Sequence, residues 1–323
     1  MLRSSFVPPP EIRALRVYTR HIWDLTADRT RYWQRLEKLL EAALVKVSSV
    51  ASKLTTESAK DMVKAMIAGQ RDPRTLAGLA RGRMKAKHDD LVEALDGMFD
   101  DHHGELAQML LDQIAFCDAR IGQLTARITG SVAAMPEAWG IDGDGTTGPD
   151  AGTGPDAAAL PAVARLAEIP GISPDLARSI IAEIGLDMSR FPTAAHLVSW
   201  AGLCPSARQS GPRTRNGKKG QGNGYLRGSL GQAAIGAART NTFLGERYWR
   251  IARRRGKAKA QVAVARSILV TIWHLLADPA ARYTDLGPGY YQARTDKDKR
   301  IKNHIRQIEA LLGHPITITP EAA

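Results

Sequence analysis

The sequence predicts a mainly α-helical protein, and three observations carry that prediction. Two long stretches repeat apolar residues at helical steps, a Gly/Pro/Asp/Ala-rich break follows them, and a run of shorter helical segments with cap signals comes after the break. The first stretch opens after Pro8-Pro9-Pro10. Ile12, Leu15, Thr19, Ile22, Thr26, Trp33, Leu36 and Leu40 fall near alternating three- and four-residue steps, the spacing of a helix–helix seam. Gly69 and Pro73 in "IAGQRDPRTLAGLARGRM" interrupt the pattern. A second long helix then carries Leu91, Leu95, Met98, Leu106, Leu110, Ile114, Cys117, Ile121, Leu124 and Ile128 on one broad face. Two such segments predict an antiparallel helical hairpin or an intermolecular coiled coil, the latter making a homo-oligomer. Neither heptad run is clean, so ordinary helix packing stands beside both.

Residues 1–128 therefore form one region. From Thr129 to Leu160 periodicity disappears into "TGSVAAMPEAWGIDGDGTTGPDAGTGPDAAAL", the composition of a flexible linker. Its "DGDG" lacks the further ligand spacing and closing Glu of a calcium loop, so no metal ligand is assigned. Residues 161–281 read as a compact helical domain. In "LAEIPGISPDLARSIIAEIG" a tight turn at Pro170-Gly171 leads to a helix with Ser173 as cap and Pro174 at its first position. Such an arrangement fits a helix-hairpin-helix, whose hairpin amides hold phosphates without reading bases, and equally a plain helical hairpin. "TAAHLVSWAGLCP" is a further short helix, "YLRGSLGQAAIGAAR" a Gly/Ala-rich one, and "FLGERYWRIARRRGKAKAQVAVARSILVTIWHLLAD" a basic helix followed by a buried one. Residues 282–323 form a polar tail with a short helix near Ile301 to Leu312.

Composition narrows the function. The chain has 323 residues, a formal net charge of +12, and 44% hydrophobic residues, enough for a core under a polyanion-seeking surface. The cysteines, Cys117 and Cys204, form no disulfide framework or metal pattern. The run "SILVTIWHLLA" is too short to span a bilayer and contains His274, and "MLRSSFVPPPEIR" has no signal-peptide core. A cytoplasmic protein that avoids membranes is expected.

Positive charge is concentrated. Between Asp187 and Asp278 the sole acid is Glu246. A solvated face mixes signs, so this single-sign field points to a phosphate backbone, with nucleic acid as partner. Its densest part, "PSARQSGPRTRNGKKGQGNGYLRG", reads as a solvated linker, a nucleic-acid grip or an active-site loop. Arg208, Arg213, Arg215, Lys218, Lys219, Asn223 and Arg227 are its candidate contacts, joined by Arg253, Arg254 and Arg255 further on and by Pro170, Gly171 and Ser173 of the hairpin. Ser210, beside Gly211 and between Arg208 and Arg213, could attack a phosphodiester if cations stabilised the developing charge. A serine in a basic Gly loop is more often a hydrogen-bond donor to phosphate or a turn residue; Ser206 and Ser229 rank below Ser210 as candidate nucleophiles. Asn216-Gly217 is a turn signal compatible with a short β pair around the loop.

The order of "IPGISPDLARSIIAEIG", "FPTAAHLVSWAGLCP", "QSGPRTRNGKKGQGNGYLRGSLGQAA" and "RYWRIARRRGKAKAQVAVARSILVTIWHLL" resembles the carboxy-terminal domain of the insertion sequence 110 family of transposases. "SFVPPPEIRALR" and the long helices resemble the region before it. The resemblance implies DNA recombination in which Ser210 attacks the scissile phosphate and forms a temporary phosphoserine link. It also implies a structured guide RNA as partner and Mg²⁺ as cofactor, held by acids of an amino-terminal RuvC-like domain. No Asp or Glu here maps onto those acids; Asp24, Asp28 and Glu37 read as solvent-facing helix charges. The expectation is thus an amino-terminally truncated member that binds nucleic acid without recombining it alone, with no cofactor of its own. A non-catalytic DNA- or RNA-binding protein and a helical scaffold are the alternatives.

Overall fold

The computed structural model describes residues 7–135, 138, 160–204, 207–210, 213–216, 222–293 and 297–316. It is mainly α-helical and separates into two compact units, Pro8–Ala134 and Met135–Ala323, the latter with Met1–Val7.

In the amino-terminal unit the longest elements are α1 (Pro10–Ala42) and α6 (Asp101–Ala133), 33 residues each and so about 50 Å long. They lie antiparallel. Arg127 Nη1 reaches the Tyr18 hydroxyl near one end, and Arg29 pairs with Asp118 at 2.5 Å further along. Ile12, Leu15, Leu25, Leu36 and Leu40 of α1 are buried, as are Ala107, Ile114, Cys117, Ile128 and Val132 of α6. Of the seam positions on α1, Ile22, Thr26 and Trp33 are only half-buried, so the seam is less regular than its spacing.

Four short helices join α1 to α6: α2 (Val47–Val50), α3 (Glu57–Ile67), α4 (Pro73–Ala77) and α5 (His88–Leu95). A 3-10 turn at Gly82–Lys87 leads into α5. Thr56 caps α3 by accepting from the Ala59 amide, and Asp72 caps α4 by accepting from the Thr75 amide at 2.9 Å. Leu40, Val45, Met62, Met66, Leu76, Leu91 and Leu95 share one apolar core there. The continuous helix expected from Leu91 to Ile128 is broken between Leu95 and Asp101. The cause is a backbone crossing: Met98 N–H donates to Ala43 C=O at 2.7 Å and Lys46 N–H to Ala94 C=O at 2.8 Å. Extended backbone wins over helix at that crossing, which leaves Met98 74% exposed and rotates Leu106 to the surface. The second long helix also runs to Ala133, past the Thr129 start expected for the linker.

The carboxy-terminal unit contains α7 (Ala162–Ala167), α8 (Pro174–Ile184), α9 (Ala194–Trp200), β1 (Ala207–Ser210) and β2 (Arg213–Asn216). It continues with α10 (Gly224–Ala237), α11 (Phe243–Arg255), α12 (Lys257–Ala277), α13 (Tyr290–Ala293) and α14 (Lys297–Leu312). Helix α12 is central and packs against α7, α9, α10 and α11. Its buried residues include Val264, Ile268, Leu269 and Ile272. At 21 residues α12 is long and apolar enough to cross a membrane by length and composition. It exceeds the apolar run seen in the sequence because "KAKAQVAVAR" continues the same helix, and it serves here as the core helix of the unit.

Arg165 fastens the ends of this core. Its side chain is 2% exposed, with Nε donating to Leu160 C=O at 2.9 Å and Nη1 to Leu275 C=O and to Asp278 C=O at 3.0 Å. The acceptors at Leu275 and Asp278 lie at the carboxyl end of α12, where carbonyls lack helical partners and the dipole favours a cation. Burial lowers the Arg165 pKa, and the charges of Asp278 and Glu168 oppose that shift. Glu168 in turn accepts from Arg282 Nε at 2.7 Å and from the Tyr283 amide at 3.0 Å, tying down the chain after α12.

Candidate nucleic-acid interface

The basic segment enters and leaves the fold at one point. Helix α9 ends on Ala201 and Gly202, and Leu203 is buried immediately after them. Nineteen residues later the chain returns at Gly222, whose φ is +33°. A Cβ there would lie 2.4 Å from Ala201 C=O and 2.8 Å from Gly202 Cα. No other residue lets the two backbones approach so closely. Asn223 follows as the cap of α10: its Oδ1 accepts from the Leu226 amide at 3.1 Å, and its Nδ2 donates to Glu183 Oε2. Glu183, near the end of α8, is 2% exposed among buried Ile180, Ile181, Ala182 and Ile184.

Between these roots β1 and β2 form a two-stranded antiparallel ribbon. Its register pairs Ala207 with Asn216, Arg208 with Arg215, Gln209 with Thr214, and Ser210 with Arg213. Alternate positions of a strand, and paired positions across an antiparallel ladder, belong to the same face. Positions Arg208, Ser210, Arg213 and Arg215 therefore share one face, and Ala207, Gln209, Thr214 and Asn216 the other. Of the Asn216-Gly217 signal, Asn216 is the last residue of β2 and pairs with Ala207, and Gly217 lies outside the described residues.

A second basic surface surrounds the corner between α11 and α12, where Gly256 has φ +84°. Arg250, Arg253, Arg254, Arg255, Lys257 and Lys259 are all exposed there. The cations in the last turn of α11 complement its dipole and leave their charge facing solvent. Trp249 on the same helix is 45% exposed although its Nε1 donates to Ala238 C=O at 2.8 Å. Arg250 lies over the Tyr291 ring at 3.9 Å, and Tyr291 also accepts from Arg247 Nη1 at 2.7 Å, which holds α13 on α11. Beside Leu203, an open groove of about 340 Å³ is lined by Arg227, Gly228, Gly231, Gln261, Val262 and Ala265.

The remaining predicted residues have duties in the fold. Gly171 has φ +90°, and a Cβ there would sit 2.2 Å from Ala233 C=O of α10, so the Pro170-Gly171 turn is pressed against that helix. Ser173 caps α8 through the Leu176 amide at 3.2 Å. Asp175, in the first turn of α8, adds a carboxylate paired with Arg178 at 2.7 Å, which opposes an incoming phosphate. The Asn223 carboxamide is engaged within the protein at both ends. Lys218, Lys219 and Ser206 lie outside the described residues. Ser229 is 1% exposed, which removes it as a nucleophile for a polymeric substrate.

Among the described residues, one group offers three potential metal-ligand atoms within 4.8 Å of one another: Asp100, His102 and His103, in the amino-terminal unit. The hydrogen bond from His103 lowers the Asp100 pKa, and the two imidazoles already occupy this carboxylate. No such group gathers among the described residues of the carboxy-terminal unit. Sequence reasoning missed Glu183, Trp249 and Gln261. Glu183 did leave a signal: it is a lone acid inside the apolar run "SIIAEIG".

No curated protein matches the chain. Residues 163–250 match the family model described as Transposase IS116/IS110/IS902 family. That segment runs from α7 into α11 and contains the whole ribbon with its roots, a narrower span than the motif order alone implies. Across it the chain is similar to the IS116/IS110/IS902 transposases, which supports DNA transposition in general as the setting of this basic site.

Proposed function

We propose that the carboxy-terminal unit grips DNA phosphates during transposition and that Ser210 is the nucleophile of strand exchange. The observation that carries this reading is the ribbon register, with Ser210 on the same face as Arg208, Arg213 and Arg215. In the proposed step the Ser210 hydroxyl oxygen forms a bond to the scissile phosphorus, and the bond to one deoxyribose oxygen breaks. The serine proton leaves to solvent or a nearby base, and the expelled oxygen takes up a proton. The product is a phosphoserine ester that keeps the phosphodiester energy for religation. Guanidinium groups on the same face offset the charge that builds on the phosphorane oxygens. The exposed corner at Arg253, Arg254 and Arg255 extends the backbone grip, and the Pro170-Gly171 hairpin is secondary to it.

Two measurements test the reading. Binding of the full chain to a short duplex, followed by fluorescence anisotropy from 50 to 300 mM salt, should weaken linearly in log–log form. In an assembly that exchanges strands, Ser210→Ala should abolish exchange and the covalent DNA adduct while binding stays within about threefold. Normal exchange by Ser210→Ala would eliminate the nucleophile and leave a non-catalytic DNA- or RNA-binding protein.

A further inference from the structure

Glu183 is a carboxylate in an apolar setting, a position that is costly unless the group is satisfied by hydrogen bonds. It lies on α8, forty residues from the Asn223 that donates to it. Asn223 adjoins Gly222, where the basic segment rejoins the fold against Ala201 and Gly202. The same Asn223 starts α10, which carries Arg227 one turn later and lines the groove beside Leu203. One buried acid thus bears on the returning root of the ribbon and on the first turn of α10 together.

We infer that Glu183 is a positioning residue: through the Asn223 Nδ2 hydrogen bond it fixes the root of the β1–β2 ribbon and the register of Arg227, and so sets where the cationic face meets DNA. The inference rests on the reading of that ribbon as the DNA grip. Its chemistry is acceptance of a hydrogen bond, not proton transfer. Glu183→Gln keeps an oxygen acceptor of the same reach, whereas Glu183→Leu keeps the volume and removes the acceptor. Asn223→Ser keeps an oxygen that can cap α10 and replaces the Nδ2 donor to Glu183 by a hydroxyl of shorter reach.

The test uses the full chain, with hydrogen exchange and DNA binding read in parallel. Glu183→Leu should speed amide exchange in 207–210, 213–216 and the first turn of α10, leaving α7 and α12 unchanged. It should also lower duplex affinity about fivefold or more and flatten the salt slope by about two to three units, one per lost phosphate contact. Asn223→Ser should give the same pattern, and the double variant no further loss, because the two side chains act as one unit. Glu183→Gln should stay within about twofold of the parent. Faster exchange throughout the unit, or equal damage from Gln and Leu, would overturn the assignment. Should the parent chain itself fail to bind DNA, the proposed function falls, and the exchange pattern still decides the role of Glu183.

Discussion

The two units solve the same problem, burying a helical core, with different chemistry. In the amino-terminal unit the core is apolar: Leu36, Leu40, Met62, Met66 and Leu91 pack together, and its charges of both signs stay at the surface in pairs such as Arg29–Asp118 and Arg81–Asp61. The carboxy-terminal unit buries Arg165 and Glu183 outright, whereas close backbone approach at glycine occurs in both units, at Gly97 in one and at Gly171 and Gly222 in the other. Each of these buried side chains ties together parts distant in sequence, and the cations at the α11–α12 corner face solvent. Buried ionisable groups are a poor source of stability, and here each joins segments far apart in sequence. The difference locates precision in the unit that carries the ribbon and bulk in the other.

The sharpest way to break this contrast is to remove one core element from each unit. Arg165→Met should leave the carbonyls of Leu160, Leu275 and Asp278 without their cation, costing upwards of about 3 kcal/mol. The carboxy-terminal unit should melt early and DNA binding should go with it. Met62→Ala should cost about 2–5 kcal/mol through the cavity it leaves, yet only in the amino-terminal unit, with DNA affinity unchanged. Segment-resolved hydrogen exchange and anisotropy check both. Equal loss of DNA affinity in the two variants would erase the division of labour.

A smaller effect is expected at the α11–α12 corner. Replacing Arg253, Arg254 and Arg255 together by Gln should leave the fold intact, since all three are exposed. Duplex affinity should fall by about tenfold near 0.1 M salt, with the salt slope reduced by up to about three units. An unchanged slope would confine the grip to the ribbon.

How much of this was readable beforehand depended on whether the cause was local. Helix α1 and the cap Ser173 follow from nearest neighbours, and helical class with them; most of the expected linker, 136–137 and 139–159, lies outside the described residues. The break after Leu95 does not: it comes from a backbone crossing with Ala43, more than fifty residues away, which no periodicity encodes. The same holds at the site. Alternation of Arg208 with Ser210, and of Arg213 with Arg215, was visible in the sequence, but only the register of β1 on β2 shows that both pairs share a face. Asn223 was readable as polar and basic-flanked, hence a phosphate contact; its donation to Glu183 depends on the packing of α8 against α10. Gly171 was readable as a turn residue, and the need for glycine there comes equally from α10.

The mildest expected effect concerns Glu168, which shows how the carboxy-terminal unit holds the chain beyond its core. Burial pushes its carboxyl pKa up, but the Arg282 hydrogen bond, the Tyr283 amide and the charges of Arg282 and Arg165 outweigh that, and the net shift is downward. A lowered folded-state pKa means that the unfolded chain binds the proton more readily. The stability from this contact is therefore complete above the unfolded value, about 4.3, and disappears as pH falls through the lower folded value. Glu168→Gln should cost about 1 kcal/mol at pH 7, since Arg282 is half-exposed and solvent screens the pair. The gap between parent and variant should narrow below about pH 4 when unfolding of the carboxy-terminal unit is followed in urea. A gap that held constant down to pH 2.5 would mean that the Gln variant suffers from altered packing and that the Arg282 pairing contributes nothing measurable.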